Sequence, residues 1–81
     1  MNQTDSTRLI VTNEVLKRLG FDLYEVVKYH LSHHYKISLE KLDEPFDLKA
    51  FEKALQKLIG VGAAEMIIQD IHIELEERGI E

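Results

Sequence analysis

Four glycines and a single proline punctuate this chain, and between them the apolar residues recur with a helical period. Gly20, Pro45, Gly60, Gly62 and Gly79 fall where that period breaks. The expected fold is therefore all-α. It is a compact bundle of about four helices, at about 7–19, 22–35, 47–59 and 63–78, in one domain over residues 1–81. A short helical turn is expected between the second helix and the third.

Each segment carries its own boundary signals. In the first, Leu9, Thr12, Val15, Leu16 and Leu19 share one face, and Gly20 suits the position after the helix because glycine takes a positive φ without a Cβ penalty. The stretch Arg8 to Val11 could instead be extended. In the second, Asp22 reads as the N-cap with Glu25 three residues on, and Phe21 is placed to staple onto Val26. Its apolar stripe is Leu23, Val26, Val27 and Leu31. Ser38 is expected to cap a short turn through Leu39 and Leu42, and Pro45 bars any helix from crossing it. Asp47 is the next N-cap, with Phe46 and Phe51 placed for a second staple. Leu48, Phe51, Leu55, Leu58 and Ile59 then form one face of the third helix. Beyond Gly60-Val61-Gly62, the main stripe of the fourth helix is Ala64, Ile67, Ile68, Ile71 and Leu75, and Gly79 ends it with Ile80 folding back.

Met66 and Ile73 project nearly opposite that main stripe, at ~100° per residue. A helix that is apolar on two sides either passes through a core or meets a second partner. In so small a domain a second chain is the expected partner. Met66, Ile73 and, in support, Ile10 of the first helix are therefore the candidate interface, and a homodimer is the expected assembly.

A domain of 81 residues buries only ~60 % of the surface its unfolded chain exposes. The chain has no cysteine, which removes disulfides, thiolate metal ligands and cysteine nucleophiles together, and fits a reducing compartment. Apolar packing must then stabilise the fold by itself, which a hydrophobic content of 44 % allows. The apolar stretch Leu9 to Val11 is far too short for a signal peptide, and no run approaches the ~20 residues of a membrane span. A cytoplasmic protein without membrane contact is expected. The net charge of −5 is unevenly placed. Acidic and basic residues balance through residue 64, and the excess lies in Glu65, Asp70, Glu74, Glu76, Glu77 and Glu81, set against Arg78 alone. An acidic surface repels phosphate, so nucleic acid is an unlikely partner.

The residues that could carry chemistry are few. His30 and His34 are i, i+4 neighbours, a spacing that places two imidazoles on one metal, although zinc sites usually take three or four protein ligands. Both lie within the expected apolar stripe, so the preferred reading is two partly buried, hydrogen-bonded histidines. A pH-sensing variant follows: charging them below ~pH 6.5 would loosen the core. Ser32 and His33 are adjacent on a helix, point about 100° apart, and form no nucleophile–base pair. Gly60-Val61-Gly62 lacks the spacing of a phosphate loop. No catalytic residue and no cofactor is expected, and the protein is read as not an enzyme. Lys49, Lys53 and Lys57 form an i, i+4 row that could meet phosphates or an acidic partner. No aromatic side chains interleave with it for base stacking, and the helix that would enter a DNA groove carries the acidic residues.

The pattern resembles the small archaeal-type output domain named after Nitrosopumilus, a helical module attached to response regulators or standing alone. The resemblance runs from Leu16 to Leu75 and lies in Leu19-Gly20-Phe21, Tyr29-His30-Leu31, Phe46 with Phe51 and Leu55, Ile59-Gly60-Val61-Gly62-Ala63, and Ile67, Ile68, Ile71 and Leu75. It implies a regulatory output module without enzymatic activity, and it supplies no catalytic or ligand residues. This chain holds no receiver domain, so the resemblance implies action in trans or as an adaptor.

Overall fold

The computed structural model describes residues 3–41 and 45–79, with side chains from residue 6 onward. Four helices follow one another: α1 (Gln3–Leu19), α2 (Phe21–His34), α3 (Leu48–Ile59) and α4 (Val61–Glu77). The all-α bundle expected from the periodicity is what forms. Helix α1 lies against α2 and α4, and α3 lies against α4 and α2, so each helix has two neighbours around one core. Among the described residues no helix is long and apolar enough to cross a membrane.

The core is filled from all four helices and from the connection between α2 and α3. Leu9, Val11, Val15 and Leu16 meet Val27, Leu31, Phe51, Leu55, Ile67, Ile71 and Leu75, with Leu39 and Phe46 closing the α2–α3 side. Phe51 is fully buried, and its ring lies 5.8 Å from that of Phe46. Helix α3 forms as its caps dictate. The Asp47 carboxylate accepts from the N–H groups of Lys49 (3.0 Å) and Ala50 (3.4 Å), satisfying donors that no preceding turn can reach.

Other boundaries differ from expectation. Helix α1 begins at Gln3, ahead of Thr7, and Arg8 to Val11 are helical. It buries Val11 along with Leu9, Thr12, Val15 and Leu16, whereas Leu19 is half-exposed. A helix flanked by both α2 and α4 must bury more than a single stripe. Helix α2 is capped by Gly20, without a side-chain cap. The Gly20 carbonyl already accepts from Tyr24 N–H at 3.0 Å, which places Asp22 inside the first turn, past the N-cap. Phe21 and Val26 are both exposed and make no staple, and Tyr24, Val27 and Leu31 are the buried positions. The Tyr24 ring is covered by the ammonium groups of Lys17 (4.9 Å) and Lys28 (5.4 Å). A phenol covered by two long side chains is buried without offering an apolar signal in sequence.

The joints between helices are short. A single residue, Gly20, separates α1 from α2, and a single residue, Gly60, separates α3 from α4, so the expected three-residue break before the fourth helix contracts to one. Both have positive φ, 143° and 92°. Gly79 (φ 75°) follows α4 and donates to the Glu76 carbonyl, in the place expected of it. The exit of α2 is different. Tyr35 and Ile37 both donate to the Leu31 carbonyl, and Lys36 between them takes φ 55°, a left-handed conformation without glycine. Ser38 caps a bend in place of the expected helical turn, its hydroxyl accepting from the N–H groups of Glu40 and Lys41 at 3.3 Å. Leu42 and Ile80, expected in turn packing and in the α4 cap, lie outside the described residues.

One polar contact ties this connection to the bundle. Asn13 of α1 donates through Nδ2 to the carbonyls of Leu9 (3.0 Å) and Leu39 (2.8 Å), while its Oδ1 is buried without a partner.

Candidate functional site

Gly20 and Gly60 lie at the same end of the bundle, because the residues flanking them line one groove. Leu19 and Leu23 come from the first joint, Ile59 and Ala63 from the second, with Met66 and Ile67 of α4 along the side and Asp70 at the rim. The groove encloses about 350 Å³. Its walls are almost wholly aliphatic. Around it Leu19 (50 %), Phe21 (65 %), Val61 (62 %) and Met66 (69 %) remain exposed. Among the described residues, half of the large exposed apolar side chains thus belong to this end, a concentration of the kind that marks interaction surfaces.

Of the interface candidates, Met66 stands on the groove itself. Ile73, 49 % exposed, continues its face along α4 at i+7, with Asp70 between them. Ile10 is also exposed, but lines a separate hollow with Asn13, Tyr24 and Leu39 on the α1–α2 side, and the fold does not bring it to the groove. Sequence periodicity singled out Met66 but not Leu19 or Ile59, since both belong to apolar stripes that read as core. Only the meeting of two joints, forty residues apart in sequence, turns them outward.

The charged side chains fall on neighbouring faces. Lys49, Lys53 and Lys57 are all exposed on α3, beside the exposed Glu65, Asp70, Glu76 and Glu77 of α4. One acid of α4 is neutralised within the chain, where Arg18 pairs with Glu74 at 2.8 Å, whereas Arg78 at the end of α4 pairs with Glu14 of α1 at 2.6 Å. At the start of the lysine row, Lys49 borders a hollow shared with Arg8, His72, Asp47 and Glu52, so positive and negative groups alternate there.

A hollow of about 820 Å³ lies where the end of α2 meets residues 36–41. It is polar. Lys28 crosses its wall, pairing with Glu25 at 2.8 Å and Glu40 at 3.3 Å. The hydrogen bond that Lys28 donates to the Glu25 carboxylate holds its ammonium above its ordinary pKa, with Glu40 acting in the same sense. Burial pushes the Tyr24 phenol up, partly offset by the charge of Lys28.

The histidines of α2 do not lie in the buried stripe. Leu31 takes the core position, His30 is only partly buried, and His33 and His34 are exposed. The spacing of 3.6 residues per turn puts Tyr24, Val27 and Leu31 inward and leaves residues 30 and 34 on the flank. Of the two histidines expected to be partly buried, His30 is and His34 is exposed. The His30 and His34 rings stack on each other, 5.4 Å apart and 17° from parallel. Tyr29 meets His33 at 4.1 Å and stands edge-on to His30 at 5.4 Å. Among the described residues, no three or more His, Asp or Glu side chains are grouped to hold a metal.

Comparison with protein-family models, with curated proteins and with solved structures finds no match for this chain.

Proposed function

We propose that this chain is a non-enzymatic interaction module, a regulatory output or adaptor domain, that self-associates through the glycine-joint end of its bundle. The observation that carries this reading is the exposed aliphatic groove at that end, with Met66 on its wall. Covering a methionine side chain stabilises a contact by about 1.5–3 kcal/mol, and 69 % of Met66 is available for it. Self-association, rather than capture of a partner of one charge sign, is favoured by the surface around the groove. The basic row on α3 and the acidic face of α4 are adjacent on one molecule. A two-fold axis passing between them would set each against its opposite on the other copy. Such exposed pairs add only ~0–1 kcal/mol each, so they steer register while apolar burial supplies affinity.

A dilution series followed by sedimentation or light scattering tests this. The mass should rise from 9.4 kDa towards twice that with concentration. Met66→Asp should abolish the rise while leaving helix content and melting behaviour intact. Because an isologous contact loses Met66 twice, the dissociation constant should increase by two to three decades, at ~1.4 kcal/mol per decade. A strict monomer at high micromolar concentration refutes self-association.

A further inference from the structure

We propose that His30 and His34 form a two-imidazole chelating site for a divalent late transition metal at the C-terminal end of α2. Three independent features point to it. The first is geometric. Two imidazoles bound at about 2.0–2.1 Å, with a ligand angle of about 90–110°, have ring centroids roughly 4.5–5.2 Å apart. The observed centroid separation is 5.4 Å, close to that range; the rings are stacked, 17° from parallel, so one imidazole must turn about its Cβ–Cγ bond to aim its nitrogen at the shared ion, while the helix backbone need not move. The second is accessibility. His34 is exposed and His30 only partly buried, the two rings stack on each other, and Tyr29 stands edge-on to His30. Metal entry therefore displaces no core packing. The third is electrostatic. Helix α2 ends at His34, and the unpaired carbonyls of a helix C-terminus favour a cation there.

The chemistry of the donors selects the metal. Neutral imidazole nitrogen suits copper(II), nickel(II) and zinc(II), whereas magnesium and calcium require oxygen ligands. The stability order of these ions places copper(II) above nickel(II) and zinc(II). With no third His, Asp or Glu grouped at the site among the described residues, the remaining coordination positions belong to water. The site is thus open and exchangeable, and it differs from a closed structural zinc centre. His33 serves as the internal control, since its ring is held against Tyr29 at 4.1 Å on the neighbouring side of the helix. This site lies at the other end of α2 from the Gly20 joint and does not depend on the proposed self-association.

The test is calorimetric titration of the untagged chain with zinc, nickel and copper(II) chlorides. One ion per chain should bind. Loss of either ligand turns a chelate into a single contact, so His30→Ala and His34→Ala should each weaken binding by about a hundredfold. His33→Ala and His72→Ala should leave it unchanged, and magnesium should not compete. Proton NMR on the unmodified chain supplies a second readout that needs no variant to fold: one equivalent of zinc should shift the His30 and His34 ring resonances together and leave those of His72 in place. Binding that survives in the His30→Ala/His34→Ala double variant overturns the proposal. So does the absence of any heat or ring shift beyond that variant's.

Discussion

Replacing Asn13 by aspartate tests how the α2–α3 connection is fastened to the bundle. The side chain faces two carbonyls, of Leu9 and Leu39, and its own oxygen is buried without a donor. Asn13 therefore acts purely as a donor. An ionised aspartate would lose both hydrogen bonds, about 0.5–1.5 kcal/mol each. It would also set a carboxylate against two carbonyl oxygens. That electrostatic cost has a ceiling, because the folded carboxyl can take up a proton. From an ordinary aspartate pKa of about 3.9, protonation at pH 7 costs about 4 kcal/mol. Asn13→Asp should thus destabilise by about 2–4 kcal/mol at pH 7, against a total of roughly 4–12 kcal/mol for a domain of this length. The folded pKa of the new carboxyl is raised. Its protonated form can donate to one carbonyl, so the variant is most stable below the unfolded pKa and loses stability as pH rises through the folded one. Urea denaturation of both proteins from pH 4 to pH 8 would show this. The deficit should be about 1 kcal/mol at pH 4 and should grow with pH by at most about 1.4 kcal/mol per unit. A deficit that does not change with pH, or none at pH 7, would refute the donor-only assignment.

Two further outcomes are expected. Lys36→Gly should stabilise the protein by about 0.5–1 kcal/mol in chemical denaturation, because a lysine at φ 55° occupies a conformation that glycine adopts freely; an unchanged or lower midpoint contradicts this. Stability should also fall above about pH 10. Tyr24 and Lys28 have folded pKa values raised above their ordinary 10.0 and 10.5, so the unfolded chain releases these protons first and the stabilisation present at lower pH is lost as pH rises. Tyr24→Phe should flatten that decline in urea midpoints measured between pH 9 and 11.5, and a slope identical to the parent's counts against it.

Where local chemistry alone decides, the sequence was sufficient. Helix α3 starts and ends where Asp47 and Gly60 indicate, and the α4 stripe from Ala64 to Leu75 is buried as its period requires. The departures have physical causes. Gln3 to Asp5 carry no apolar period, so nothing marked the true start of α1. Tyr24 displaced Val26 from the core of α2 because two lysine stems cover a ring that hydropathy ranks as ambivalent. The left-handed Lys36 offered no glycine to read. For the candidate site, Met66 was legible from its angle on α4. The groove beneath it was not, since it exists only where Leu19 and Ile59 meet. The histidine pair was legible by spacing, but its exposure depended on which flank of α2 turned inward.

The two glycine joints have an architectural consequence. Since each joins consecutive helices through one residue, the described parts of the α2–α3 connection, 35–41 and 45–47, and the described ends at residues 3 and 79 fall at the opposite pole. Helices α1 and α4 have 17 residues each, which sets the poles about 25 Å apart. A protein fused at either end would hang clear of the oily pole, leaving it free to meet a second copy. With no slack in either hinge, that pole is already ordered before contact, and little conformational entropy is lost when it is covered.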